Sequence, residues 1–154
     1  MIRKMELSDK SAYIEMSKQF YNSDAVLHSI PVENFEKTFN YILSDKPYVE
    51  GYIYEHKGFV AGYVLLSITY SNEHGGLVLL IEEVYIKSKY RRKGFGNKLF
   101  KFLENRYNEK VVMMRLEVEE ENKGATKLYR NLGFKSIPYH QMYRKTPKNK
   151  KKGF

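Results

Sequence analysis

The sequence predicts an α+β domain built on a mixed, mostly antiparallel sheet, on three observations. Strand-like segments follow one another between residues 48 and 86, joined by turn-forming strings rather than helices, as antiparallel neighbours are. After Gly94 the apolar spacing becomes helical and then returns to alternation. The helix there is read as the sheet's single right-handed crossover, from the strand ending at Ile86 to the one beginning at Val111. Finally, 154 residues with 42% hydrophobic content are one domain's worth, with enough apolar side chains for a single core.

The elements follow in order. A short strand is expected at Ile2 to Met5, after which Ser8 or Asp9 caps a helix reaching about Tyr21. Pro31 opens a second helix with Val32, Phe35, Phe39, Ile42 and Leu43 at helical spacing, and Asp45-Lys46-Pro47 ends it. Tyr48 to Glu55 and Phe59 to Tyr70 flank His56-Lys57-Gly58 as a hairpin. Ser71 to Gly76 is a loop of turn formers. The next strand runs from Leu77 to Ile86, and the unbroken apolar run Leu77 to Ile81 predicts cover on both faces. Phe95, Leu99, Phe102, Leu103 and Tyr107 form one face of a helix, and Val112, Met114, Leu116 and Val118 alternate as a strand. Asn122 caps a helix whose inner face is Ala125, Leu128, Tyr129 and Leu132, and Gly133 sits at its left-handed stop. Phe134 to Arg144 is expected to close the sheet as a strand pair with a turn near Pro138. The order is β-α-α-β-β-β-α-β-α-β-β. The domain spans residues 1–146, and residues 147–154 are expected to be a disordered basic tail.

Composition removes several chemistries. With no cysteine there is neither a thiolate nucleophile nor a sulfur-ligated metal. His28, His56, His74 and His140 lack metal-ligand spacing, so no metal is expected. No G-x-S-x-G string marks a serine hydrolase. No apolar run approaches the roughly 20 residues of a membrane span, and Met1 to Glu6 lacks a secretory apolar stretch, so a cytoplasmic protein without membrane contact is expected. The net charge of +9 invites a nucleic-acid reading. Much of that excess lies in Lys145, Lys148, Lys150, Lys151 and Lys152, however, and no nucleic-acid motif accompanies it.

The rest of the basic charge clusters at a strand-loop-helix junction, Lys87-Ser88-Lys89-Tyr90-Arg91-Arg92-Lys93-Gly94-Phe95-Gly96-Asn97-Lys98. A helix start offers unpaired N–H groups and a positive end to an anion. Glycines at 94 and 96 let a phosphate approach the backbone, so a pyrophosphate is the natural guest. The dinucleotide fingerprint fails because Leu99 stands where a third glycine is needed, and no P-loop string occurs.

Arg91-Arg92-Lys93-Gly94-Phe95-Gly96 resembles the R/Q-x-x-G-x-G/A motif of the GCN5-related N-acetyltransferases, the GNAT superfamily. Asn122 to Phe134 resembles a second landmark of that family, N-x-x-A-x-x-x-Y-x-x-x-G-F. The similarity in element order spans about Ile2 to Lys145. It implies acetyl-CoA as acyl donor and direct attack by an amine in a ternary complex. The backbone at Val84, Tyr85 and Ile86 would bond the pantetheine arm. The loop Arg91, Arg92, Lys93, Gly94, Phe95 and Gly96, with Asn97, would hold the pyrophosphate. Asn122 would bond the pantetheine, and Tyr129 would protonate the departing thiolate. Ser88 stands where many relatives have proline.

Elementary chemistry asks for the same groups. An amine must be neutral to attack, yet an alkylamine of pKa about 10 is mostly protonated at neutral pH, so a proton acceptor helps. Glu82 and Glu83 are adjacent on a strand and point to opposite faces unless a bulge intervenes, so at least one faces a covered side, where burial raises its pKa. Glu82 is favoured as the base because it resembles the glutamate of amine-acetylating relatives. The resemblance places the acceptor between Asn22 to Ile30 and Ile137 to Gln141, which carry Asp24, His28, Tyr139 and His140. With Glu117, Glu119, Glu120 and Glu121, the two strand glutamates would attract a small cationic amine or a protein amine. The alternatives are a basic nucleic-acid-binding domain and a catalytically silent CoA-binding sensor. A homodimer is compatible with the family.

Overall fold

The structure, a computed structural model, describes residues 1–44, 46 and 48–146. The basic tail expected at 147–154 lies outside them, as do Asp45 and Pro47 of the expected helix stop. The elements are β1 (Ile2–Lys4), α1 (Lys10–Tyr21), α2 (Val32–Leu43), β2 (Val49–His56), β3 (Phe59–Ser71), β4 (Gly76–Ile86), α3 (Phe95–Tyr107), β5 (Met113–Leu116) and α4 (Lys123–Asn131). The sheet order is β1-β2-β3-β4-β5, antiparallel except for the parallel β4–β5 pair that the α3 crossover imposes. Lys57 and Gly58 form the two-residue turn between β2 and β3, both at positive φ (52° and 80°), the backbone that a tight hairpin requires.

Strand alternation sorts the core into two layers. Tyr52, Tyr54, Val64, Leu66, Leu79 and Ile81 face α3, where Leu99, Phe100, Leu103 and Tyr107 meet them. Ile53, Tyr63, Leu65 and Tyr85 face the other way, onto Tyr13 and Met16 of α1 and Phe35 and Phe39 of α2. Both faces are therefore covered, as the apolar run in β4 predicts.

Two local expectations are corrected. Asp9 does precede α1, but its carboxylate does not cap that helix. It turns back to accept two bonds from the Arg3 guanidinium (2.8 and 2.9 Å) and one from the Glu6 N–H (2.8 Å). Burial alone would raise the Asp9 pKa. The Arg3 and Glu6 bonds and the Arg3 charge outweigh it and hold the carboxyl below its ordinary value. A depressed carboxylate contributes stability above the unfolded-state pKa and loses it as pH falls through the folded one. We expect Asp9→Ala to cost about 3 kcal/mol at neutral pH. By calorimetry that is roughly 6–12 °C in Tm at this chain length, and the gap from wild type should close as the pH is taken below about 4.

The second correction concerns the closing strand pair. Among the described residues nothing after Asn131 is helix or strand. Phe134 packs on Phe100 (5.4 Å between ring centroids), but Met142 and Tyr143 are 96% and 92% exposed. The strand pair expected over Phe134 to Arg144 would have to extend the sheet from β5, which is only four residues long and whose outer edge carries no ladder among the described residues. Tyr139 Oη donating to Glu73 at 3.3 Å is a side-chain tether in place of a strand pairing.

Candidate active site

The site begins where the parallel strands part. β4 and β5 pair from Val78↔Met113 to Ile81↔Leu116, and β4 then continues alone to Ile86. On its other edge β4 keeps β3, but with a slip: Leu66 faces Ile81 while Leu65 faces Glu83, so Glu82 is an extra, bulged residue. A bulge bends its strand and flips the faces beyond it. Ile81 and Val84 accordingly pack in the same layer despite their odd spacing. Glu83 and Tyr85 face α1 and α2. From residue 82 onward no strand among the described residues pairs with the β5-side backbone of β4.

At the far end of β4 the basic loop is pinned to the sheet. Arg91 Nε donates to the Ile86 carbonyl (2.8 Å), and the Lys87 N–H donates to the Ala61 carbonyl (2.9 Å). Arg92 and Gly94 take left-handed φ of 58° and 72°, and Gly94 supplies no side-chain acceptor to α3. The first in-helix bond is Lys98 N–H to the Gly94 carbonyl at 3.2 Å, so among the described residues the N–H groups of Phe95, Gly96 and Asn97 have no acceptor and face outward for an anion. Arg91, Arg92, Lys93, Asn97 and Lys98 are exposed around them. Phe95 is buried against Tyr54 (4.3 Å between centroids) and anchors the turn by its ring.

The two glycines do different work. Gly94 is required by its φ. Gly96 makes room for a neighbour, because a Cβ there would stand 2.9 Å from Leu128 Cδ2 of α4. Through that contact α4 packs on the start of α3. The Oδ1 of Asn122 accepts from the Ala125 N–H (3.2 Å), as its sequence position predicts, which leaves its amide donors to point elsewhere. Tyr129 packs edge-on against Phe100 and Phe134, each 6.0 Å away, and burial raises its pKa. Its hydroxyl makes no hydrogen bond among the described residues, and its ring lines a cleft of about 1230 Å³ with Met114 and Leu116 of β5.

The bulge sets which carboxylate faces the covered side, where Glu83 is half-buried. Glu82 is exposed and accepts from Ser67 Oγ at 2.6 Å. The burial expected of the base falls on Glu83, which accepts from Tyr21 (2.6 Å) and Tyr63 (2.7 Å). Desolvation raises its pKa, the two phenols oppose that, and the Glu82 charge adds to it. Adjacent glutamates in an apolar strand were the visible signal, whereas the partners Tyr21 and Tyr63 lie 62 and 20 residues away in sequence. No hydrogen bond among the described residues joins Glu82 to Tyr129, or Asp24, His28, Tyr139 or His140 to either glutamate. Among them, too, no three His, Asp or Glu side chains are placed to hold a metal, and no helix is long and apolar enough to cross a membrane.

A mixed sheet whose parallel strands part above an open helix start is the architecture of the acetyltransferases. The family model described as Acetyltransferase (GNAT) family matches residues 12–134, and the chain belongs to that family. Its structure resembles that of a possible acetyltransferase from Clostridium difficile 630, with a TM-score of 0.81 and 24% identity over 96% of this chain and 97% of that one. It also resembles AAC(6')-Iy bound to the bisubstrate analogue CoA-S-monomethyl-acetylneamine, with a TM-score of 0.78 and 20% identity over 96% of this chain and 98% of that one. In sequence it is 35% identical over 79 residues to thialysine N-epsilon-acetyltransferase of Bos taurus, a match covering 51% of this chain. That match spans about half (46%) of the length of the bovine protein.

Proposed function

We propose that the chain is an N-acetyltransferase that moves the acetyl group of acetyl-CoA to a primary amine, either a small cationic amine or a protein amine. One observation carries this reading: the uncapped start of α3, ringed by Arg91, Arg92 and Lys93, sits at the end of the strand from which β5 departs. The free N–H groups of Phe95, Gly96 and Asn97 would take the pyrophosphate, with Gly94 shaping the turn. The unpaired edge of Val84, Tyr85 and Ile86 would bond the pantetheine amides as a strand would, and the Asn122 amide would bond them from α4.

The donor supplies a thioester carbonyl, and the chain's residues handle the protons. Glu82, exposed at the bulge where the strands part, takes the proton that the amine nitrogen gives up as it bonds the carbonyl carbon. Tyr129, whose hydroxyl has no partner among the described residues, gives a proton to the sulfur as the C–S bond breaks, so CoA leaves as the thiol. An amine acceptor is supported by the relatives named for acetylation of thialysine and of an aminoglycoside.

A thermal-shift titration with acetyl-CoA, CoA and ATP tests the donor. A ligand binding only the folded state raises Tm according to RT ln(1 + [L]/Kd). We expect a salt-tolerant rise with acetyl-CoA, larger than with ATP, followed by thiol release when an amine is added. Equal shifts with all three ligands that vanish in salt would reduce the loop to a generic anion site.

A further inference from the structure

We propose that Tyr21 and Tyr63 clamp the Glu83 carboxylate so as to fix the β4 bulge, and that Tyr21 is thereby a positioning residue for Glu82. The proposal rests on the reading of Glu82 as the base.

The two oxygens of Glu83 are held from different elements: Oε1 by Tyr21, the last residue of α1, and Oε2 by Tyr63 of β3. The Tyr63 ring is itself wedged between Tyr13 (5.2 Å) and Tyr85 (6.0 Å) and is fully buried, so its hydroxyl is a fixed point. Tyr21 is the movable half of the clamp. It is only partly buried, lies edge-on to Phe20 and tilted against Phe35, and ends α1 just before the connection to α2. With both oxygens occupied Glu83 is badly placed to receive the proton of an amine. It is well placed to anchor the backbone of the residue beside it.

That residue needs anchoring. A bulged position has lost its ladder partner, and among the described residues the one hydrogen bond on the Glu82 side chain is that from Ser67, which is open to solvent. The same point of the strand is where its pairing with β5 ends. A base must be held within a fraction of an ångström of its working position. The Glu83 clamp holds the residue beside it by two hydrogen bonds. No Lys, Arg or His forms an ion pair with Glu83 among the described residues, so the phenols are what hold it.

The test is a double-mutant cycle of Tyr21→Phe and Glu82→Gln, which removes one hydroxyl and one base while keeping both shapes. It is read as thiol release from acetyl-CoA with whichever of L-lysine, spermidine and neamine is turned over fastest. We expect Tyr21→Phe to lower kcat roughly tenfold, the size of one lost charge-assisted hydrogen bond, with acetyl-CoA affinity unchanged. In the Glu82→Gln background it should do nothing further, because a positioning residue has no effect once the group it positions is gone. Wild-type kcat for Tyr21→Phe would overturn the clamp and leave the base standing. Additive losses would overturn it as well, since Tyr21 would then act by another route. Wild-type kcat for Glu82→Gln would remove both the base and its positioning, and would leave the acetyltransferase reading to the donor titration.

Discussion

Tyr129→Phe should lower kcat about 100-fold, the low end of what a positioned proton donor contributes. It should leave the affinity for acetyl-CoA within a factor of about two, as loss of an interaction made only in the transition state does. The structure separates the two halves of this residue. Its ring is engaged by Phe100 and Phe134, and phenylalanine keeps both contacts. Its hydroxyl holds no partner among the described residues, so deleting it strands no donor or acceptor and costs little stability. Burial holds the phenol in its protonated form, the state a proton donor must start from. Steady-state kinetics beside isothermal titration with acetyl-CoA would separate the effects. A variant that turns over like wild type would leave Tyr129 as a core side chain of α4.

The sequence already carried the strand and helix order as far as α4, the basic loop and the cap at Asn122, because each rests on local chemistry. A period of two or 3.6, a turn glycine and a side chain reaching three residues along are all written within a few positions. The bulge was not written there. Glu82 and Glu83 look equivalent in a string, and only the slip of β3 against β4 makes one of them the extra residue. The Glu83 phenols come from α1 and β3, so their convergence is a product of topology. Gly96 shows the same limit: two glycines two apart suggested one shared reason, whereas Gly94 answers to φ and Gly96 to a leucine on a helix some 30 residues later in the chain. The expected closing strands failed for a related reason. Alternation is necessary for a strand, but pairing also needs a neighbour with an edge long enough to hold it.

Gly62→Ala should damage both stability and donor binding, although residue 62 touches neither the loop nor the cleft directly. Gly62 lies opposite Ile86, and a Cβ there would run into the Tyr85 carbonyl oxygen and the Ile86 side chain. A carbonyl in a ladder cannot rotate aside as a side chain can, so the end of β4 must move. The Ile86 carbonyl is the acceptor for Arg91 Nε, and Lys87 N–H is bound to Ala61, so the displacement is passed straight into the pyrophosphate loop. We expect a loss of about 1–3 kcal/mol, as for overpacking elsewhere. We also expect a Kd for acetyl-CoA weakened roughly tenfold, equivalent to about 1.4 kcal/mol. Gly96→Ala provides the contrast, because the atom it meets is the far end of the Leu128 side chain, which can shift by a rotamer change. Calorimetry and acetyl-CoA titration on the two variants would rank them. If Gly62→Ala binds acetyl-CoA like wild type, the loop is insulated from the end of β4, and the Arg91 tether does not set its geometry. If Gly62→Ala weakens binding while Gly96→Ala does not, the donor site is positioned by the strand, and the helix start follows where the strand puts it.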